Sequence, residues 1–504
     1  MKRFISISIA AAAALFAVSC TGFLKEDPKT FEIPENYYNN ENEIRLGVNG
    51  IYSGTSLPIN STGLGGGVVS VLTEMLCGYA SHTASDYATL TEILNLAITG
   101  DNGFAAAPWG TCYSDINRAN SMIKIIETKE GVQISDAKRN QYLGEAYFLR
   151  AWYYSILVRL YGPVPLLTEP TTGFANAKTV PSSEKDVFNQ IISDLEKAET
   201  LLEDTDWNNA EGRISKGAVK AFLAKMHLTM AGYPIQDASA YDKAYAKALE
   251  VVRSEEFSLY DTYTEARLGQ DVNGKEYLFS TQCEREYRNN PMHMLSVARP
   301  AGENAYIPYI SMYDATRLGG AWAPSTVFYN SYADGDKRTE NHAFYYTSQQ
   351  AIDGSATLNF KPFVYKYWND GCAQDGKCGV NFPIIRYADV LLTLAEAACK
   401  GGSTTDAAAI DAYYQVRHRA VPSEAKPSTI SFNLVFKERM WEQAFDGVNW
   451  FNMIRTRRTV NFATGDVVNL IGFKAPELST TYEESDLLLP YPTEQVRLNP
   501  NLKR

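Results

Sequence analysis

Apolar residues recur every three to four positions over long stretches near both ends of the chain, and this spacing predicts amphipathic helices. Combinations such as Gly-Pro, Gly-Tyr-Pro and Gly-Gly interrupt the pattern and are typical of helix ends. An N-terminal and a C-terminal set of helices is therefore expected. The predicted helices are residues 36–52, 109–127, 137–161, 184–203, 215–231 and 239–252 in the first set, and 386–400, 406–419 and 431–455 in the second.

The middle of the chain, from about residue 253 to residue 383, keeps no helical period and is rich in Gly, Pro, Asn, Asp and Tyr. Such a composition is typical of turns, and long loops in a compact protein usually serve a function. A helical scaffold is therefore expected at about 36–252 and 384–504, with a loop-rich ligand lobe at about 253–383. The paired helices resemble tetratricopeptide units, although the repeat of about 34 residues is not kept.

The first nineteen residues have the pattern of an export signal. Two basic residues precede an apolar run at 5–18 that is too short to span a bilayer. The small residues next to Cys20 resemble a bacterial lipobox, although Ala17 stands where Leu is more usual. We expect residues 1–19 to be removed and Cys20 to carry the acyl chains of a membrane anchor. An ordinary signal peptide beside an unmodified cysteine is the alternative.

Composition limits the class of protein. The chain has 58 acidic and 47 basic residues and a net charge of −11, which argues against a nucleic-acid partner. No nucleophile elbow, zinc-protease or P-loop motif is present, and no pair of carboxylates is singled out for glycoside hydrolysis. The sequence therefore gives no support for an enzyme, and we predict no catalytic residues and no cofactor.

The cysteines do not form a metal-binding pattern. Cys372 and Cys378 lie close enough in a polar loop to form a disulfide, which an exported protein permits. Zinc would need further ligands, and no second CxxC or nearby His supplies them. We predict no metal site. The remaining cysteines beyond Cys20, at positions 77, 112, 283 and 399, are expected to be buried thiols.

Several segments, in their order along the chain, resemble the SusD/RagB-like nutrient-binding lipoproteins of Bacteroidetes outer membranes. They include FLKEDP after Cys20, GVNGIY from Gly47, EAYFLRAWYY followed by YGPVPL, FPIIRYADVLLTLAEA from Phe382, and ERMWEQAFDGVNWFNMIRT from Glu438. The resemblance implies a mainly α-helical, SusD-like fold. Four tetratricopeptide-like helix pairs would support an irregular loop-rich lobe, all within one domain from residue 20 to residue 504.

The resemblance also implies a function. A lipoprotein of this family captures an oligosaccharide or a related nutrient at the cell surface and passes it to a SusC-like TonB-dependent outer-membrane transporter. The expected localisation is therefore the outer membrane, through a lipid anchor at Cys20. Two alternatives stay open, namely a peptide or glycopeptide receptor of the same family and a scaffold lid of the transporter that binds no small ligand.

Aromatic residues in loops are the candidate ligand contacts, because flat rings cover the apolar faces of sugars while polar side chains bind the hydroxyls. Residues 303–324 are the richest stretch, and glycines before Trp322 would let its ring stand clear of the backbone. Residues 78–87 could form an opposite wall, and KYWNDG at 366–371 is a third possibility. The predicted ligand residues are Trp322, Tyr306, Tyr309, Tyr313, Asn304 and Asp314 in the first stretch, with Tyr79, Asp86 and Tyr87 in the second.

Charged residues on otherwise apolar helices must be paired if they are buried. We predict that they form ion pairs between the two helix sets and serve architecture, and that Trp109 is likewise a packing residue. The charged residues concerned are Glu145, Arg150 and Arg159 in the first set, and Arg386, Glu396, Glu438, Arg439, Glu442 and Arg455 in the second.

Overall fold

The computed structural model describes residues 37–59, 68–81, 88–171, 178–204, 212–271, 273–298, 322–350, 357–368 and 377–503. Helices dominate this part of the chain, which confirms the mainly α-helical fold. The helices are α1 Glu41–Ile51, α2 Val68–Leu76, α3 Ala88–Leu94, α4 Gly103–Thr128, α5 Asp136–Tyr161, α6 Glu184–Leu201, α7 Lys216–Ala231, α8 Ala240–Arg253, α9 Tyr263–Leu268, α10 Met292–Leu295, α11 Thr326–Tyr329, α12 Tyr387–Cys399, α13 Ala407–Ala420, α14 Phe432–Glu442, α15 Asn449–Thr456 and α16 Thr493–Leu498.

The strands are short and pair two by two. Every pair in the described residues is antiparallel, namely β1 with β3, β2 with β6, β4 with β5, β7 with β8, and β9 with β10. The strands are β1 Ala80–Ser81, β2 Tyr277–Thr281, β3 Ala323–Pro324, β4 Tyr345–Gln350, β5 Thr357–Val364, β6 Phe382–Arg386, β7 Ser403–Thr404, β8 Ile430–Ser431, β9 Arg458–Asn461 and β10 Asp466–Asn469.

Local side chains fix where the long helices begin. The Ser135 hydroxyl accepts a hydrogen bond from the Lys138 amide at the start of α5, and Ser183 caps α6 in the same way. These caps satisfy amides that have no partner within the helix. At the other end of α5, Gly162 has a φ of 71°, a conformation that glycine adopts without strain. The predicted limits of these helices are therefore close to the observed ones.

One apolar cluster extends from Ile44 to Leu502 and includes residues of both helix sets and of the middle lobe. Neighbouring helices pack in sequence, α4 on α5, α5 on α6 and α7 on α8, while α12 packs on α8 and so joins the two sets. Trp109 lies within α4, is 4 % exposed and contacts Tyr161 and Tyr491. Its predicted packing role is confirmed.

The single helix predicted at 431–455 is wrong. The structure has α14 and α15, separated by a turn in which Phe445 and Gly447 have positive φ values of 66° and 76°. The Glu74 carboxylate, on α2, accepts hydrogen bonds from the amides of both turn residues at 3.0 and 2.7 Å. A distant side chain thus supplies the partners that a continuous helix would have provided.

The predicted pairing of the buried charges is largely confirmed, but the expectation that these residues pair between the two helix sets is wrong. Glu145 pairs with Arg213 at 2.8 Å and Arg150 with Asp194 at 2.7 Å, both within the N-terminal part of the chain. Arg386 pairs with Glu276 of the middle lobe at 3.0 Å. The two helix sets are bridged by Lys225 on α7 and Asp389 on α12, at 2.6 Å.

The charged residues of the second set form two buried clusters. One joins Arg338, Arg386, Arg417 and Arg419 to Glu276, Glu438 and Glu442, which ties the lobe to α13 and α14. The other joins Arg439 and Arg455 to Asp389 and Glu396. Buried charges of this kind stabilise the native arrangement only when each has its partner.

Candidate functional site

The first feature of the site is the short ladder between β1 and β3. Ser81 pairs with Ala323, and the Ser325 amide donates to the Tyr79 carbonyl oxygen at 2.7 Å. The chain leaves β1 toward residues 82–87 and enters β3 from residues 299–321, so the two predicted ligand stretches attach at the same edge. The sequence gives no local signal for this pairing, because the partners are far apart along the chain.

Most predicted ligand residues lie outside the described residues. These are Tyr306, Tyr309, Tyr313, Asn304 and Asp314 in the stretch before β3, and Asp86 and Tyr87 in the stretch after β1. Cys20 and Cys372 also lie outside them. The roles of these residues remain predictions.

Trp322 is described, and its ring is buried rather than exposed. It lies parallel to the Tyr367 ring at 5.9 Å between centres and edge-on to Phe445 at 5.3 Å. The Trp322 amide donates to the Leu295 carbonyl oxygen at 3.1 Å, which draws the ring inward. The expectation of an exposed ring is wrong in this structure, whereas ligand contact by Trp322 remains a prediction.

Tyr79 is also fully buried. Its hydroxyl donates to the Glu74 carboxylate and accepts from the Asn449 amide group at 3.0 Å, and its ring stacks on Phe328 at 4.4 Å. Burial, together with the Glu74 charge, raises the pKa of the Tyr79 phenol well above its usual value. This environment is that of a core residue, not of the expected wall of a cleft.

The KYWNDG stretch is likewise buried as far as it is described. The Lys366 ammonium lies 2.5 Å from the Asp446 carboxylate, and the Tyr367 hydroxyl donates to the Phe445 carbonyl oxygen at 2.8 Å. Trp368 is 3 % exposed and lies parallel to Tyr365. These side chains connect the lobe to the turn between α14 and α15.

Tyr287 is the aromatic residue that the sequence reasoning missed. Its side chain is 95 % exposed, the highest value among the large hydrophobic residues described as exposed. It lies in a tight turn in which Glu284 and Arg288 exchange backbone hydrogen bonds at 3.0 and 2.9 Å. The Glu284 carboxylate accepts from the amides of Glu286 and Tyr287 at 2.9 and 2.8 Å, so the turn presents the ring outward on a fixed backbone.

The Tyr287 turn is tied to two other segments of the chain. Glu286 pairs with Lys377 at 2.5 Å, and the Arg285 guanidinium donates to the Lys377 carbonyl oxygen at 3.1 Å. On the other side, Arg288 donates to the Ser53 carbonyl oxygen at 3.2 Å. The exposed ring therefore stands among carboxylate, ammonium and guanidinium groups that are already positioned.

This arrangement suits recognition of a neutral polar ligand such as a sugar. An exposed ring covers an apolar C–H face, and the surrounding charged groups can donate to and accept from hydroxyls. The signal in the sequence is CEREYRNN, in which a single aromatic residue has only charged and amide neighbours on both sides. Such a ring lacks local apolar partners that would bury it.

The described part of the chain contains no group of three or more His, Cys, Asp or Glu side chains placed to hold a metal ion. Among the helices described, none is long and apolar enough to cross a membrane.

Comparison with known families gives two matches. A family model described as "Starch-binding associating with outer membrane" matches residues 72–228, and one described as "SusD family" matches residues 285–504. Together they cover most of the chain and include the β1–β3 ladder and the Tyr287 turn.

Individual proteins match over nearly the whole chain. A SusD-like protein of Bacteroides ovatus is 24 % identical over 551 residues, which cover 98 % of this chain and 96 % of that protein. A SusD superfamily protein from Parabacteroides distasonis, known from its crystal structure, is 26 % identical in sequence. The two structures agree with a TM-score of 0.83, and the match covers 92 % of this chain and 98 % of that one.

A third match is to a protein solved with a sugar. It is the surface glycan-binding protein A from Bacteroides thetaiotaomicron, in complex with laminarihexaose. The identity is 17 %, and the TM-score is 0.70 over 92 % of this chain and 99 % of that one. At this identity the likeness shows a shared fold.

Proposed function

Since the chain belongs to the SusD/RagB family, we propose that it is a cell-surface glycan-binding lipoprotein. In this proposal it captures an oligosaccharide and delivers it to a SusC-like TonB-dependent outer-membrane transporter. Residues 1–19 act as the signal peptide, and Cys20 carries the lipid that anchors the single domain at 20–504. The protein binds its ligand without changing it, so it is not an enzyme.

The observation that carries the proposal is the exposed ring of Tyr287 in a turn rich in charged groups. A ring that is 95 % exposed contributes nothing to the core, and it matches the aromatic platform that sugar recognition needs. The β1–β3 ladder adds to this, because it holds the ends of two aromatic-rich stretches at one edge. We therefore propose that Tyr287 forms part of the ligand site together with Tyr306, Tyr309 and Tyr313.

Isothermal titration of the mature protein against a panel of neutral oligosaccharides tests the proposal. The panel contains laminarihexaose and a malto-oligosaccharide. One similar protein is described as laminarin-binding, another was solved with laminarihexaose, and the matching family model is described as starch-binding. We expect one of them to bind and Tyr287→Ala to weaken that binding about thirtyfold, the effect of losing about 2 kcal/mol from an aromatic anchor. The melting temperature should not change, since the ring is exposed.

Tyr233→Ala is the matched control, because Tyr233 is also an exposed tyrosine, at 40 %, but lies after α7 on the helical scaffold. It should bind like the parent. Failure of every neutral oligosaccharide to bind, with binding of a mixed peptide pool instead, would contradict the glycan proposal. If Tyr287→Ala binds the oligosaccharide as tightly as the parent, the proposed function still holds but Tyr287 is not part of the ligand site.

A further inference from the structure

Arg159, in the last turn of α5, is buried and has no carboxylate within ion-pairing distance among the described residues. Its Nε and Nη2 atoms donate to the carbonyl and hydroxyl oxygens of Ser155 at 2.6 and 3.1 Å. The guanidinium carbon lies 4.1 Å from the centre of the Phe451 ring. Nη1 donates to no atom of the described chain. Among the charged residues that the sequence predicted to pair, Arg159 is thus the one without an ion-pair partner in the described part of the chain.

The surroundings of this guanidinium carry excess positive charge. Lys225 pairs with Asp389 at 2.6 Å, and Asp389 is shared with Arg439. Glu396 serves both Arg439 and Arg455, at 3.1 and 2.6 Å. Lys225, Arg439 and Arg455 therefore share Asp389 and Glu396, and neither carboxylate is left over as an ion-pair partner for Arg159. Burial of so much uncompensated charge is unfavourable.

Beside these contacts, Arg159 also borders empty space. It lines a cavity of about 50 Å³ together with Trp152, Ile156, Phe222 and Lys225. It also lines a second cavity of about 60 Å³, to which Glu184 contributes. Asp446 also lines the first cavity, but its carboxylate is held by Lys366 at 2.5 Å and Arg386 at 2.6 Å. The first cavity thus offers one unpaired guanidinium, a nearby ammonium and apolar walls.

We propose that the cavity between α5, α7 and α15 binds a small monovalent anion, of the size of chloride, on Nη1 of Arg159. A cavity of about 50 Å³ exceeds the roughly 10–15 Å³ that is needed to hold one water molecule, so a halide also fits. The anion supplies the negative charge that the protein does not provide. It stabilises the junction of the two helix sets and is independent of the ligand site at Tyr287.

Two measurements on the unaltered mature protein test the site. In crystals soaked in bromide, we expect an anomalous-scattering peak within hydrogen-bonding distance of Arg159 Nη1. In solution, replacing gluconate by chloride at constant ionic strength should raise the melting temperature by about 3 °C when chloride is ~100-fold above its dissociation constant. Gluconate is the reference anion because it is much larger than a halide and its charge is on a carboxylate.

Arg159→Gln should abolish the chloride dependence of the melting temperature. Arg497→Gln is the matched control, because Arg497 is an exposed arginine paired with Glu494, and it should keep the dependence. If Arg159→Gln does not fold, the bromide map of the unaltered protein decides the question. A map with no peak beside Nη1, or a chloride dependence that persists in Arg159→Gln, overturns the proposal.

Discussion

Replacing Glu442 by Gln tests how much the buried charge cluster between the lobe and the scaffold contributes to stability. The Glu442 carboxylate accepts hydrogen bonds from Arg419 at 2.9 Å, from Arg386 at 3.1 Å and from the Tyr263 hydroxyl at 2.9 Å. Glutamine keeps the shape of the side chain but removes the charge, so the arginines lose a partner while they stay buried.

The magnitude follows from the pKa of Glu442. Burial alone would raise it, but Arg419, Arg386 and Arg338 together lower it from 4.5 to about 2. One pKa unit corresponds to about 1.4 kcal/mol, so the shift corresponds to about 3 kcal/mol of stability. Because the pKa is lower in the folded state, this stability is present above pH 4.5 and is lost as the pH falls toward 2.

Differential scanning calorimetry gives the readout. Breaking a buried pair costs about 3–5 kcal/mol, and an unfolding entropy of roughly 2.1 cal/mol/K per residue makes this a fall of about 3–5 °C for a chain of this size. The difference in melting temperature between Glu442→Gln and the parent should become smaller as the pH is lowered from about 7 to about 3.5.

The control is Glu484→Gln, which removes a 64 % exposed carboxylate paired with Arg457. It should change stability by about 0.5 kcal/mol at most. If Glu442→Gln melts like the parent, or if the difference in melting temperature does not decrease at low pH, the charge of Glu442 does not stabilise the fold in this way.

Three further substitutions test the scaffold, the core and the anchor. Glu145→Ala removes the carboxylate that lies 2.8 Å from Arg213 and should destabilise the fold by about 3–5 kcal/mol. If the variant melts at the same temperature as the parent but no longer binds the ligand, Glu145 has a binding role instead. Trp322→Ala should destabilise the fold by a similar ~3–5 kcal/mol, because it leaves a cavity where a buried ring now packs beside Tyr367. If calorimetry shows that the variant melts like the parent but no longer binds glycan, Trp322 belongs to the ligand site. Cys20→Ala should yield a protein free of the outer membrane, and mass spectrometry that finds unmodified Cys20 in native membranes would exclude the anchor.

Local signals explain why most helices could be predicted from the sequence. Ser135 and Ser183 cap the helices that follow them through contacts three residues away, and Gly162 ends α5 by its own backbone conformation. Apolar periodicity supplies the rest. These features act within one turn of the chain, so they can be read from neighbouring residues.

The candidate site could be predicted only in part, because its geometry depends on contacts between distant segments. The burial of Trp322 follows from its backbone bond to Leu295 and from the β1–β3 ladder, neither of which has a local signal. The glycines before Trp322 suggested exposure, yet tertiary packing determined the outcome. Tyr287 was overlooked because its neighbours offer no aromatic cluster, although the same lack of apolar neighbours leaves its ring exposed.

The contact between Glu74 and the turn after α14 constrains the order of folding. The carboxylate and the two amides that it binds are separated by 371 and 373 residues along the chain. Closing so long a segment is entropically costly, and folding rates fall as native contacts become more distant in sequence. The packing of α2 therefore cannot be completed until almost all of the chain has been synthesised. During synthesis, α2 would expose its apolar face and a carboxylate without its partners, which makes this segment a natural site for chaperone binding.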